Sequence, residues 1–317
     1  MTADLSPPRD DFPDIDAVVR ELAAARHDWR SAHHRLNEPG PRELPSRERV
    51  AEIVEALRGV LYPMRLGPAD LRQEHENRYV ALTLDTALGV LLEQVRLELA
   101  WEARHIAAEG AAPLPRGAEA IVTDFANGLS DIRRLLDTDV LAAFNADPAA
   151  RSVDEVLLCY PGIQALIHYR IAHRLHLLGV PLIARMVSEL AHGATGIDIH
   201  PGATIGERFF IDHGTGIVIG ATAIIGDRVQ IYQAVTLGAK SFPTDAEGRA
   251  IKGAPRHPIV EDDVVIYSGA TVLGRVTIGQ GAVLGGSVWV TEDVAPHTIV
   301  SQARMRSVGQ PEERRTA

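Results

Sequence analysis

Two periodicities predict an α+β protein: apolar residues return every three or four positions in the N-terminal half, and aliphatic residues every six after residue 197. We expect an N-terminal α-helical domain followed by a left-handed parallel β-helix built from hexapeptide repeats. The expected division is a disordered segment at 1–15, the helical domain at 16–192, the β-helix at 193–300 with a loop at 238–259, and a C-terminal tail at 301–317.

The helical half is predicted from apolar stripes. One stripe is Ile15, Val18, Val19 and Leu22, and another, after a cap at Ser46, is Val50, Ile53, Val54, Leu57, Val60 and Leu61. A longer stripe from Val80 to Ile106 predicts a third helix, whose charged residues we expect on a solvated face: Arg96, Glu98, Glu102 and Arg104.

The β-helix is predicted from two registers of its repeat. The aliphatic register is Ile199, Ile205, Ile211, Ile219, Ile225, Ile231, Leu237, Val260, Ile266, Val272, Ile278, Leu284 and Val290. Four residues later the side chain is usually small or β-branched, as at Ala203, Val229 and Val264. An inward anchor every sixth residue, with small residues at the corners, suits a three-sided prism of short parallel strands.

The composition of the chain indicates which classes of partner and which cellular compartment to expect. The chain carries 42 acidic and 32 basic residues, for a net charge of -10, which repels phosphate backbones, so we expect no nucleic acid partner. No apolar segment is long enough to cross a membrane and no signal peptide is visible, so we expect a cytoplasmic protein without membrane contact. The single cysteine, Cys159, forms no internal disulfide, and we expect it to be a small core residue.

The repeat breaks at two places, and breaks in a solenoid indicate selection for something other than stacking. The interval from Ile211 to Ile219 is eight residues instead of six and contains His213. The second break is the loop at 238–259, which contains Arg256-His257-Pro258. Loops projecting from a rigid scaffold often carry function, so both breaks are candidate sites.

His213 is the strongest catalytic candidate. Asp212 precedes it, and Asp198 lies fifteen residues earlier, close enough to one coil for the two side chains to meet near one corner. A carboxylate hydrogen-bonded to a histidine fixes its tautomer and supports the imidazolium, which makes the pair a general base. Although His200 is nearby, the histidine spacing matches no recognisable zinc set, so we expect no metal.

Several segments together resemble the serine O-acetyltransferases. They are Gly196–Gly206, Ile211–Gly220, Val235–Gly238, Arg256–Pro258, Asp147–Ala149 and Tyr160–Gly162, within a region of about residues 147–300. The hexapeptides alone indicate only the broader acyltransferase superfamily, whereas their combination with these motifs is specific. The resemblance implies transfer of an acetyl group from acetyl-CoA to L-serine, which is the first step of cysteine biosynthesis.

The resemblance also implies roles for individual residues. His213 would deprotonate the serine hydroxyl and Asp198 would orient it. Asp147 and Asp212 would bind the serine ammonium, and Arg256 and His257 its carboxylate. The residues implied for acetyl-CoA are Ala239, Ser268, Gly269 and Ala270. Lys240 and Lys252 are candidates for its phosphates and equally for solvated loop residues. Direct transfer without a metal is the expected chemistry.

The expected partners follow from the same resemblance. We expect a homotrimer or a dimer of trimers, since flat faces with aliphatic residues such as Ile217 and Val265 favour burial against sister subunits. L-cysteine is expected to compete with serine. The tail lacks the terminal isoleucine with which relatives hold O-acetylserine sulfhydrylase, so we do not expect that complex.

The chain departs from the family pattern at two places, and two alternatives to the implied function stay open. Ala221 stands where the family usually has glutamate, and the loop at 238–259 is longer than in common relatives. A hexapeptide-repeat O-acetyltransferase acting on a sugar is the alternative enzyme. A non-catalytic assembly or regulatory homologue is the alternative outside enzymes.

Overall fold

The computed structural model describes residues 13–33, 44–109, 116–241, 244–245, 248–249, 251 and 253–302, without the side chains of 105–109. It contains two compact units, Met1–Glu43 and Leu44–Ala317. The predicted disordered N-terminus and the C-terminal tail fall largely outside the described residues, and Lys252 also lies outside them.

The first unit contains one described helix, α1 (Ile15–Ala32). Asp14 caps it, because its carboxylate accepts hydrogen bonds from the amides of Asp16 and Ala17 at 3.1 and 3.2 Å. The predicted stripe is therefore helical, although none of its residues is buried.

The second unit begins with helices. They are α2 (Arg47–Leu61), α3 (Pro63–Leu66), α4 (Glu76–Glu109), α5 (Ala118–Asn127), α6 (Leu129–Ala146), α7 (Val153–Cys159), α8 (Pro161–Leu177) and α9 (Pro181–Thr195). The predicted cap is confirmed, since Ser46 Oγ accepts a hydrogen bond from the amide of Arg49. Among the described helices, none has the length and hydropathy needed to span a bilayer.

Two expectations about the helical half are wrong. Glu98 is fully buried instead of solvated, because α4 packs against the beginning of α9. Its carboxylate accepts hydrogen bonds there from the amides of Leu182 and Ile183 at 2.7 and 2.9 Å. Cys159 is exposed instead of buried, because the short helix α7 turns Val156 and Leu157 inward and leaves its last residue outside.

The predicted left-handed parallel β-helix is confirmed. Its strands are β1 (Asp198–Ile199), β2 (Thr204–Ile205), β3 (Phe210–Ile211), β4 (Val218–Ile219), β5 (Ile224–Ile225), β6 (Gln230–Ile231), β7 (Thr236–Gly238), β8 (Ile259–Val260), β9 (Val265–Ile266), β10 (Thr271–Leu273), β11 (Thr277–Ile278), β12 (Val283–Leu284), β13 (Trp289–Val290) and β14 (Ile299–Val300). They form three parallel sheets: face A (β1-β4-β7-β10-β13), face B (β2-β5-β8-β11) and face C (β3-β6-β9-β12-β14).

The interior of the prism follows the predicted register. Each predicted aliphatic anchor is buried, with 7% exposure or less. Ile217, expected on an outer face, is fully buried, while Val218 and Ile224 point outward at 40% exposure each. Strand alternation explains this difference, since neighbouring residues point to opposite sides of a strand.

A buried ion pair joins the helices to the first coil. The Arg170 guanidinium on α8 contacts both carboxylate oxygens of Asp139 on α6 and donates to the carbonyls of Ile205 and Gly206. Asp139 also accepts a hydrogen bond from the amide of Phe209 at 3.0 Å. These contacts hold α6 and α8 against the coil in which the first break of the repeat occurs.

Candidate active site

The predicted site residues lie mainly at two edges of the prism. The C–A corner is the edge where the chain passes from face C to face A, and it includes residues 212–217 between β3 and β4. The A–B corner is the edge between faces A and B, and it includes residues 220–223 between β4 and β5 and the end of the loop before β8.

His213 projects from a bulge in the C–A corner. Five residues, 212–216, lie opposite only three, 232–234, in the next coil. Two backbone hydrogen bonds bracket this bulge: the Asp212 amide donates to the Ile231 carbonyl, and the Ala234 amide donates to the Thr215 carbonyl. The Asp212 carbonyl accepts a hydrogen bond from the Gly214 amide at 2.6 Å, which tightens the bulge. The His213 side chain is 71% exposed, so its imidazole is open to a ligand.

Two carboxylates, those of Asp212 and Asp147, lie near this imidazole. Nε2 of His213 lies 3.7 Å from Oδ2 of Asp212. Asp147, at the end of α6, accepts hydrogen bonds from the Tyr160 hydroxyl and from the Ala149 amide. These hydrogen bonds, together with the nearby His213, lower the pKa of Asp147. The C–A corner therefore presents an anionic half-site.

A glycine allows the helices to approach this corner. A Cβ on Gly162, at the start of α8, would lie 2.5 Å from the carbonyl oxygen of Ile211. The bare backbone lets α8 contact β3 directly, immediately before Asp212. Tyr160 and Asp147 are thereby held beside the bulge.

Asp198 has different neighbours from those expected. Its carboxylate lies 3.8 Å from Arg185, which also pairs with Glu189. Within the described residues it makes no ion pair with His213, so its role in orienting that imidazole stays a prediction. Glu189, His192 and Asp198 each bring one ligand atom within 4.8 Å of the others, but Arg185 already pairs with both carboxylates, and we assign no metal there.

The A–B corner holds Arg256 and His257. His257 lies between two coils: Nδ1 contacts Thr222 of the preceding coil, and its carbonyl accepts a hydrogen bond from Arg275 of the following coil at 3.1 Å. Arg256 donates its amide to Thr222 Oγ1 at 2.9 Å, and its own buried Nε has no hydrogen-bond partner among the residues that the structure describes. This corner therefore presents a half-site with two guanidinium groups.

Burial and nearby cations keep the histidines here uncharged. Burial, Arg256 and Arg275 lower the pKa of His257 to about 4. Burial also lowers the pKa of His200 to about 4, with Arg185 and nearby histidines contributing. At neutral pH these two histidines therefore add no positive charge to this corner.

Within one chain the two half-sites do not meet. Asp147, Asp212 and His213 lie at the C–A corner, whereas Arg256 and His257 lie at the A–B corner, with face A between them. The sequence places both breaks on the prism but gives no direct sign that they occupy different edges.

The residues implied for acetyl-CoA divide in the same way. Ser268 and Gly269 lie on the C–A corner, two coils beyond His213, while Ala239 and Lys240 follow β7 at the A–B corner. Ala270 is fully buried in the prism, which leaves its side chain no exposed surface for a ligand. All of these assignments, that of Ala270 included, stay predictions.

Sequence reasoning missed three residues. The Tyr160 hydroxyl donates a hydrogen bond to Asp147, and the Thr222 hydroxyl is hydrogen-bonded to His257. The Arg275 guanidinium donates hydrogen bonds to the carbonyls of both Thr222 and His257. Tyr160 was visible as part of the Tyr160–Gly162 motif, and Thr222 follows the unusual Ala221. No local pattern singles out Arg275, because its partners lie in other coils.

Comparison with known proteins shows which family the chain resembles. No family model matches the chain. A plasmid serine acetyltransferase of Synechococcus elongatus is 51% identical over 295 residues, 92% of each chain, which extends the similarity well beyond residues 147–300.

Solved structures give the same relation. Serine acetyltransferase isoform 3 of Entamoeba histolytica in complex with cysteine has a TM-score of 0.68 and 33% identity, covering 82% of this chain and 84% of that one. The Neisseria gonorrhoeae serine acetyltransferase in complex with serine has a TM-score of 0.52 and 26% identity, covering 80% and 97%. On fold and on sequence similarity along almost its whole length, the chain belongs to the serine acetyltransferase family.

Proposed function

We propose that this chain transfers the acetyl group of acetyl-CoA to the hydroxyl of L-serine, giving O-acetylserine and CoA. The activity is that of its family and provides the first step of cysteine biosynthesis. The cytoplasm is the proposed location, because an exposed lone cysteine such as Cys159 suits a reducing compartment.

The observation that carries the proposal is the complementary charge of the two half-sites. Asp147 and Asp212 offer carboxylates to an ammonium group, while Arg256 and Arg275 place guanidinium groups at the other corner. An amino acid carries both charges, whereas a neutral sugar carries neither. This difference favours serine over the sugar alternative.

His213 acts as general base in the proposed mechanism. Its imidazole takes the proton of the serine hydroxyl as the oxygen attacks the thioester carbon of acetyl-CoA. When the tetrahedral intermediate collapses, the C–S bond breaks, and the imidazolium returns the proton to the departing CoA thiolate. The new C–O bond completes O-acetylserine, and no covalent acetyl-enzyme is required.

The proposed site is completed by a second copy of the chain. In a side-by-side trimer, the C–A corner of one prism would meet the A–B corner of its neighbour, and the implied CoA residues would line the same cleft. Outward apolar residues are available for such packing, including Val218 and Ile224 at 40% exposure and Trp289 at 71%. We propose a trimer, or two such trimers.

L-cysteine is a proposed competitor of serine. The two amino acids share the carboxylate and ammonium groups and differ at one side-chain atom, so both would use Asp147, Arg256 and His257. Competition at millimolar cysteine, seen as a raised KM for serine at unchanged kcat, is the expected result. Its absence would remove the shared-binding proposal while leaving the transferase activity in place.

A thiol-release assay tests the activity. The full-length protein is given acetyl-CoA with L-serine, D-serine, homoserine or a simple sugar, and free CoA is measured. We expect release with L-serine well above that with the other acceptors. Preference for the sugar would support the alternative enzyme, and no release with any acceptor would support the non-catalytic homologue.

A further inference from the structure

Thr222 is the centre of a compact hydrogen-bond arrangement at the A–B corner. Its Oγ1 accepts from the backbone amides of Arg256 at 2.9 Å and His257 at 3.1 Å. The same oxygen lies 2.8 Å from Nδ1 of His257. The Thr222 backbone amide also donates to that nitrogen, at 3.1 Å.

These contacts determine the direction of each hydrogen bond. A hydroxyl has two acceptor lone pairs and one donor hydrogen. The amides of Arg256 and His257 occupy both acceptor positions of Oγ1, so its hydrogen is directed to Nδ1. Since the Thr222 amide is also a donor, Nδ1 of His257 has to be an acceptor, and its proton has to be on Nε2.

The second ring nitrogen of His257, Nε2, is available to a ligand. Nε2 makes no hydrogen bond within the described part of the chain and is not enclosed. A Cβ on Gly220 would lie only 2.1 Å from Nε2, so the ring rests on bare backbone that fixes its plane. The residue as a whole is 6% exposed.

We propose that Thr222 is a positioning residue, which holds His257 as a neutral ring with its proton on Nε2 and so presents an uncharged donor to the substrate carboxylate. This inference rests on the proposed function, in which His257 contacts that carboxylate. Protonation of Nδ1 would set its hydrogen against two donors of Thr222. The ring is therefore held neutral by geometry as well as by burial and the charges of Arg256 and Arg275.

The arrangement divides two tasks between neighbouring residues. Arg256 supplies charge, while His257 supplies direction through one fixed hydrogen bond. A neutral donor does not exchange protons with the substrate ammonium or with His213, so the ring works in one form over the working pH range. His257 is then a binding group, and proton transfer remains with His213.

Kinetics of four variants test the role of Thr222. Thr222→Val removes the hydroxyl at nearly constant shape, and Thr222→Ser restores it. Thr204→Val is the matched control, because Thr204 is exposed and its hydroxyl makes no hydrogen bond in the described residues. His257→Gln can place a neutral amide donor near the position of Nε2, whereas a proton-transfer role would be lost in that variant.

The expected kinetic result is a split between KM and kcat. Thr222→Val should raise the KM for serine by about tenfold, the effect of about one lost hydrogen bond, with little change in the KM for acetyl-CoA. Thr222→Ser and Thr204→Val should stay within about threefold of the parent. His257→Gln should keep its kcat within about tenfold. Equal KM for serine in Thr222→Val and the parent, or loss of kcat in His257→Gln comparable with that in His213→Ala, would overturn the proposal.

A second measurement does not depend on serine acetylation. In protein labelled with 15N-histidine, the ring resonances of His257, assigned by their loss in His257→Gln, report which nitrogen is protonated. We expect Nε2–H in the parent at pH 7 and a displaced Nδ1 resonance in Thr222→Val but not in Thr204→Val. A proton on Nδ1, or an Nδ1 resonance unchanged by Thr222→Val, would overturn the positioning role even if the enzyme had a different substrate.

Discussion

The Tyr160 hydroxyl donates a hydrogen bond to Oδ2 of Asp147 and so connects the beginning of α8 to the end of α6 beside His213. The same hydrogen bond lowers the pKa of Asp147 and raises that of Tyr160 to about 12. Asp147 is therefore ionised, and Tyr160 is a donor, across the physiological range.

Removal of this hydroxyl should weaken serine binding. We expect Tyr160→Phe to raise the KM for serine by about tenfold with a smaller change in kcat, because the Asp147 carboxylate loses a charge-assisted hydrogen bond that orients it. Steady-state kinetics measure this, with Tyr79→Phe in α4 as the control. An unchanged KM for serine would show that the backbone amide of Ala149 suffices to place the carboxylate.

His213→Ala should lower kcat by about two to four orders of magnitude, the usual effect of losing a general base, without changing the assembly. Activity within a few-fold of the parent would contradict the mechanism. Asp198→Asn should lower kcat by less than His213→Ala, since an amide can still orient the His213 imidazole but cannot stabilise the positive charge of its imidazolium. Comparison with Asp212→Asn, whose carboxylate lies 3.7 Å from His213, tests which carboxylate matters to the base.

Mixed assemblies should recover activity if two chains share each site. His213→Ala damages the C–A corner and Arg256→Ala the A–B corner, so either variant alone should be inactive. After dissociation and reassembly at equal amounts, about one site in four combines two intact corners, so we expect about a quarter of the parent activity. Light scattering coupled to size exclusion checks the assembly. No recovery in confirmed mixed assemblies, or an active parent particle near the monomer mass of 34.3 kDa, would contradict the shared site.

Glu98 should make stability depend on pH. Burial raises its pKa from 4.5 to about 7, so between these values the folded chain holds a proton that the unfolded chain releases. The free energy of unfolding therefore falls as the pH rises through this window. The glutamine of Glu98→Gln cannot titrate. The free energy of unfolding of this variant should therefore fall by about 2 to 3 kcal/mol less than that of the parent between pH 5 and pH 8.

Urea unfolding at both pH values measures this difference. Glu93→Gln is the control, since Glu93 is exposed on the same helix and should follow the parent. Parallel pH dependence of the parent and Glu98→Gln would show that Glu98 has an ordinary pKa in the folded protein.

The sequence by itself determined the β-helix and the location of both breaks in its repeat. Ile199, Ile225 and Val272 are buried as their spacing predicts, because in a solenoid each coil buries its own anchors and the pattern is local. His213 and the segment Arg256-His257-Pro258 were found for the same reason, because any interruption of a strict repeat can be seen in the sequence itself.

Only the tertiary structure decided which residues face each other across coils and helices. Periodicity assigns a residue to one side of its own element and says nothing about what packs there, so Glu98 was expected in solvent and Cys159 in the core. Tyr160, Thr222 and Arg275 gain their partners through contacts between elements distant in sequence. The separation of His213 from His257 likewise depends on how the coils stack, because the edge of the prism that a residue occupies is set by the path of the whole chain.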